Sequence, residues 1–189
     1  EIHVTPCLCG VDFLYLSARK GLFMRNIKSE IAYDGSGYSG WQIQADDRTV
    51  QEVMENALTM ILGHPVRVTA AGRTDAGVHA LGQVINFTTG SSIPLQGLQR
   101  GLNAVLPGDV AVLSTVEVPL SFHARYMARS KTYVYVMDLS PVRNPFLHRY
   151  ALHVGVQLDT DAMLQAAHVL KGEHDFASFQ AAGSEVKTT

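Results

Sequence analysis

The chain predicts an α+β fold built on an antiparallel sheet, and three observations carry that prediction. Between residues 24 and 119, periodic segments run strand, helix, strand, strand, helix, strand, the split βαβ or ferredoxin-like arrangement. A similar strand-and-helix pattern begins again after residue 120 and is expected to be a second domain of the same kind, incomplete at its C-terminal end. The composition, 47% hydrophobic and 17% charged over 189 residues, suits a chain that buries a core and forms one or two soluble domains.

Residues 1–23 precede these elements. Their longest apolar run is broken by Asp12 and then by Arg19 and Lys20, which makes a poor signal peptide. Met24 stands just before the first strand, so residues 1–23 are expected to be an extension outside the native fold. Cys7 and Cys9 are too few for a disulfide framework and lack a second ligand pair for zinc, which points to a reducing compartment. No run approaches the roughly 18 apolar residues that a membrane span needs.

"NIKSEIAY" places Ile27, Ile31 and Tyr33 on one face and Lys28, Glu30 and Ala32 on the other, the alternation of a half-buried strand. "YDGSGYSGWQ" follows, with Gly35, Gly37 and Gly40 at the G-x-G-x-x-G spacing. A dinucleotide site also needs a helix opening at the third glycine. Here bulky Trp41 and the unpatterned "QIQADDR" come instead, and no lysine follows for a P-loop. The stretch therefore reads as a glycine-rich turn with positive-φ positions, one that also lets RNA or substrate approach the backbone.

The helix "TVQEVMENALTMILGHP" carries an apolar stripe of Val50, Val53, Met54, Ala57, Leu58 and Ile61, a capping box of Thr49 and Glu52, and Gly63 with Pro65 as its stop. "VRVTAA" and "LGQVINFTT" alternate as strands on either side of "GRTDAGVHA". "SSIPLQGLQRGLNAVLP" is a helix with Leu95, Leu98, Leu102 and Val105 at helical spacing and Pro94 in its first turn; "VAVLSTVEV" closes the unit. In the second unit, "SKTYVYVMDL" is a strand with Tyr133, Tyr135, Met137 and Leu139 on one face. "YALHVGVQL" is its expected neighbour, and "DTDAMLQAAHVLKG" is a helix with Gly172 as its stop.

Two stretches carry chemistry. In "GRTDAGVHA", Asp75 sits between Gly72 and Gly77 with Arg73 two positions before it. On pattern alone, Asp-x-Gly favours a turn in which the carboxylate caps its own backbone. A turn, however, needs neither the arginine nor the histidine. A carboxylate is ionised at neutral pH and can act as a nucleophile unaided, and an arginine on the same face of an extended backbone would position it or bind phosphate. The second stretch is "FHARYMARSKTYVYVM". The net charge of −2 gives no overall argument for nucleic acid, yet Arg125, Arg129, Lys131, Arg143 and Arg149 face the single acid Asp138 between residues 121 and 150. The aromatic ring of Tyr133 or Tyr135 can stack on an extruded base, a contact worth roughly 1–3 kcal/mol; the alternative is a tyrosine ladder on a half-buried strand, which fits Tyr135 better. The eight histidines show no metal-ligand spacing, and no metal is expected.

Together, "YDGSGYSGWQ", "GRTDAGVHA", "FHARY…SKTYVYVM", "NPF" and "GEHDFASF" resemble the tRNA pseudouridine synthase A (TruA) family, in order and from about Arg25 to at least Phe179. The resemblance implies a cofactor-free cytoplasmic isomerase that converts uridine to pseudouridine around positions 38 to 40 of the tRNA anticodon stem-loop. It implies Asp75 as the catalytic aspartate, Arg73 as the residue holding the flipped base and Tyr133 as the ring stacked on it. It further implies a homodimer with Arg125, Arg129 and Lys131 facing RNA, and additional strands and cleft-lining residues after the position of Thr189. Attack on C1′ of the ribose and on C6 of the base both suit a carboxylate. The rival reading is a non-catalytic ferredoxin-like RNA-binding module, which uses the arginines and Tyr133 but leaves "GRTDAGVHA" without a task.

Overall fold

The computed structural model describes residues 24–179. The stretch 1–23, expected to stand outside the native fold, lies outside the described residues. Two compact units are present, the first ending at Lys131 and the second starting at Thr132.

The first unit contains β1 (Arg25–Tyr33), α1 (Val50–Leu62), β2 (Thr69–Ala70), β3 (Ala80–Thr89), α2 (Leu95–Val105) and β4 (Val110–Val118). Its sheet has the order β2-β3-β1-β4. β1 is antiparallel to both β3 and β4, and β2 is antiparallel to β3. The mixed α/β character and the antiparallel sheet therefore agree with the sequence. The alternation in β1 explains its central place: Ile27, Ile31 and Tyr33 point to one face and are buried there with Ile85, Phe87, Val110 and Val112. Val50, Met54, Ala57 and Leu58 of α1 and Leu98 and Leu102 of α2 close the same core. Val105, expected in the α2 stripe, is exposed. Gly101 has a packing reason, since a Cβ there would come within 3.3 Å of the Ile61 Cδ1 on α1.

Three expectations of detail are corrected. The strand expected over Val66–Ala71 shrinks to Thr69–Ala70, because side chains of α1 occupy the backbone groups before it. The Val68 N–H donates to Glu55 Oε1 (3.0 Å) and the Val68 carbonyl accepts from Gln51 Nε2 (3.4 Å). The capping box does not form either. Thr49 makes no side-chain cap, and its Oγ1 is buried with no partner among the described residues. Two of the N–H groups at the start of α1 are satisfied by backbone instead, Val50 donating to Gly40 O (3.2 Å) and Gln51 to Trp41 O (3.0 Å). Pro94 stands just before α2 as its cap, with its carbonyl accepting from Leu98.

The second unit is sparser. The two long strands expected over 130–139 and 150–158 reduce to β5 (Met137–Asp138) and β6 (Leu152–His153), which do pair with each other, in parallel. α3 (Thr160–Leu170) forms as expected, with Asp159 Oδ1 accepting from Ala162 N at 2.8 Å, yet it buries no residue. Tyr135, expected on a half-buried ladder, is 86% exposed. A two-residue pair cannot bury a face of its own, so alternation alone leaves these side chains in solvent.

Candidate active site

The glycines after β1 explain how the site is built. No helix opens at Gly40, which takes a φ of +86°. A Cβ on Gly35 would lie 2.0 Å from the Val78 carbonyl oxygen, and one on Gly40 would lie 2.6 Å from the Thr74 carbonyl oxygen. What approaches this backbone so closely is the chain's own segment 74–78, where the sequence suggested RNA or substrate. Hydrogen bonds then join the two loops: Trp41 N–H to Thr74 O (2.9 Å), Gly77 N–H to Tyr38 O (3.2 Å) and Gly35 N–H to His79 Nδ1 (3.2 Å). Tyr38 is anchored in turn. Its hydroxyl donates to Asp109 Oδ1 at 2.6 Å, and the Arg48 guanidinium lies 4.5 Å over its ring. Burial, reinforced by the bond to Asp109, raises the Tyr38 phenol well above the usual tyrosine range.

On that platform Asp75 opens a turn in which Val78 N–H donates to the Asp75 backbone carbonyl (3.2 Å), and Gly77 has the positive φ, +77°, of a type II third position. The turn closes through the backbone. Among the described residues no hydrogen bond or ion pair holds the Asp75 carboxylate, which is exposed to solvent. This corrects the capping role that the pattern alone favours. Arg73 is also exposed and unpaired among the described residues, while Thr74 between them is turned inward: its Oγ1 is hydrogen-bonded to Tyr33 Oη at 2.8 Å. Gln83 Nε2 donates to the Gly72 carbonyl at 2.6 Å. Burial raises the Tyr33 phenol above its ordinary value, partly offset by its bonds to Thr74 and Gln83.

Of the expected RNA-facing residues, Lys131 comes to this loop: a Cβ on Gly72 would meet its Nζ at 3.0 Å. Gly72, Arg73, Asp75 and Lys131 thus share one corner of the first unit. Arg125 and Arg129 are exposed on the segment after β4. That segment is tied down by two buried asparagines, Asn26 and Asn86, which the strand pattern does not single out. Asn26 Nδ2 donates to Pro119 O (3.0 Å) and Phe122 O (2.9 Å), Asn86 Nδ2 to Asn26 Oδ1 (3.0 Å), and Ala124 N–H to Asn86 Oδ1 (2.9 Å). An asparagine in the apolar run "QVINF" was the available signal. Tyr133 belongs to the second unit, in irregular chain, 73% exposed. Among the described residues no three His, Cys, Asp or Glu side chains gather into a metal site, and no helix is long and apolar enough to cross a membrane.

Comparison with known proteins sets this geometry in a family. The family described as tRNA pseudouridine synthase matches residues 31–127, from the end of β1 through the asparagine-held segment. Proteins named tRNA pseudouridine synthase A from Pelobacter propionicus, Geobacter sp. (strain M21) and Caldicellulosiruptor bescii are 49%, 48% and 48% identical over 166 residues. The aligned region covers 88% of this chain in each case, and 68%, 67% and 68% of the three relatives. The chain belongs to the tRNA pseudouridine synthase A family, a family of isomerases.

Proposed function

We propose that this protein isomerises uridine to pseudouridine in the anticodon stem-loop of tRNA, around positions 38 to 40, with Asp75 as nucleophile. The observation that carries the reading is the state of Asp75: among the described residues its exposed carboxylate has no hydrogen-bond or ion-pair partner, on a loop held at Gly72, Thr74, Gly77 and Val78. A carboxylate left unused by the fold in a rigid loop is available for chemistry. In the overall reaction C1′–N1 breaks, C1′–C5 forms, the C5 hydrogen leaves as a proton and N1 takes up a proton from solvent, so that product and substrate are isomers. The base must first leave the stack, at a cost of a few kcal/mol. Arg73 holds the extruded base or its phosphate beside Asp75, and Tyr133 stacks on it. Arg125, Arg129 and Lys131 bind the RNA backbone. The exposure of Tyr133 and of the arginines supports these roles. The strand order β2-β3-β1-β4, with a helix in each of the two crossovers, supports a ferredoxin-like split βαβ for residues 24–119, and the unit that begins at Thr132, later than the expected residue 120, belongs to a second RNA-binding and catalytic domain. The protein acts as a cytoplasmic homodimer, a part of the reading supported by the resemblance alone.

Tritium release from C5-labelled uridine in a tRNA transcript tests it. Asp75→Asn is expected to abolish release while tRNA affinity stays within about twofold of wild type. Release at the wild-type rate from that variant would overturn the role of Asp75. A wild-type protein that binds tRNA and releases no tritium would point to the non-catalytic module.

A further inference from the structure

We infer that Tyr33 is a positioning residue for this reaction, acting on Asp75 through the hydroxyl of Thr74; the inference rests on Asp75 being the nucleophile. Tyr33 ends β1 on the core side, 4% exposed, with the Trp41 ring centroid 6.3 Å from its own. Its hydroxyl cannot follow a moving loop, and it meets Thr74 Oγ1 at 2.8 Å. The same residue's carbonyl accepts from Trp41 N–H at 2.9 Å. Thr74 is thus fixed at a side-chain atom and a backbone atom on the protein side. Just before it, the Gly72 carbonyl is fixed by Gln83.

Thr74 is bonded inward while its neighbours Arg73 and Asp75 are both exposed. The bond between Tyr33 and Thr74 therefore sets the direction in which the Asp75 carboxylate leaves the chain. Packing does not require it. A phenyl ring and a valine would fill the same space, and removing both partners of a buried hydrogen bond together is close to neutral for stability. For a nucleophile the direction matters more, since reacting atoms must start about 3–3.5 Å apart with aligned orbitals, and a misplacement of about 1 Å can cost a hundredfold in rate. Tyr33 and Thr74 touch neither substrate nor carboxylate in this role.

The experiment uses the full chain and the same tritium-release assay, with kcat and KM for tRNA determined separately. Tyr33→Phe and Thr74→Val are each expected to lower kcat on the order of tenfold or more, with KM within about twofold of wild type. The double variant should be no slower than the slower single, because the Tyr33–Thr74 bond is lost only once and the bond of Tyr33 to Gln83 is already lost in Tyr33→Phe. Thr74→Ser, which keeps the hydroxyl, should recover most of the rate. Full kcat in either single variant, losses that multiply in the double, or a loss confined to KM would overturn the inference. So would a loss of rate that merely tracks loss of folded protein by circular dichroism at the assay temperature. Asp75→Asn separates this failure from that of the underlying reading. If that variant is silent while Tyr33→Phe and Thr74→Val run at full rate, only the positioning role falls; if it turns over normally, the nucleophile assignment falls and the positioning role with it.

Discussion

Two glycines in one short turn should respond very differently to the same added methyl group. Gly35 and Gly37 bracket a three-residue 3-10 turn, yet a Cβ on Gly35 would lie 2.0 Å from the Val78 carbonyl oxygen and 2.5 Å from its carbon, whereas one on Gly37 would meet only an Arg48 Nη1 at 3.7 Å. Bringing the Val78 atoms out to an ordinary contact of roughly 3.5 Å moves the second loop by about 1.5 Å. That atom is backbone, three residues after Asp75, so no rotamer change relieves the clash. Overpacking of this kind costs about 1–3 kcal/mol, and each inter-loop hydrogen bond broken adds about 1 kcal/mol. A shift of that size at the nucleophile should lower turnover by on the order of a hundredfold. Gly35→Ala and Gly37→Ala are therefore expected to differ sharply in tritium release and by several degrees in melting temperature, with Gly37→Ala close to wild type. Equal behaviour of the two, or a wild-type rate in Gly35→Ala, would refute the account of how the loops are joined.

Further outcomes follow from the same geometry. Tyr133→Phe should keep most activity and Tyr133→Ala should lose it, since stacking on a base is worth roughly 1–3 kcal/mol and needs only the ring; equal losses in the two would give the hydroxyl a chemical task. Burial keeps Tyr38 and Tyr33 protonated to higher pH in the folded protein than in the unfolded chain, where tyrosine titrates near about 10. The folded state then holds the protons more tightly, so this stabilisation is whole below about pH 10 and is lost as pH rises through the folded-state values. Thermal melts from pH 8 to 11 should be flat at first and then fall, and Tyr38→Phe should shallow the fall. Thr49→Val should leave the melting temperature unchanged or raise it, although a lost cap usually costs about 0.5–2 kcal/mol, because the Thr49 hydroxyl is buried and caps nothing.

How legible the molecule was depended on where each segment finds its partners. β1 and β4 could be read to within a residue because strand neighbours reward simple alternation. β2 could not, since Glu55 and Gln51, more than a dozen residues earlier, hold its approach. The glycines of "YDGSGYSGWQ" announced that something comes close but not what, for the approaching segment lies some forty residues further on. At the candidate site the reactive types, Asp75 and Arg73, stood out as chemistry. Tyr33, Thr74, Asn26 and Asn86 did not, because each looks like an ordinary strand or turn residue until the fold pairs it across the chain. The tyrosine alternation of the second unit was real, but a period of two says nothing about whether a sheet exists to receive it.

Trp41 uses both sides of its place in the chain. Its carbonyl holds the Gln51 N–H at the opening of α1, and its N–H holds the Thr74 carbonyl next to Asp75. Unwinding the first turn of the helix and releasing the loop are therefore coupled openings, and amide protons at Gln51 and Trp41 should exchange with solvent together. A displacement of Trp41 thus reaches the loop beside Asp75 and the start of α1 at once, which links the order of the site to the order of the helix it stands against.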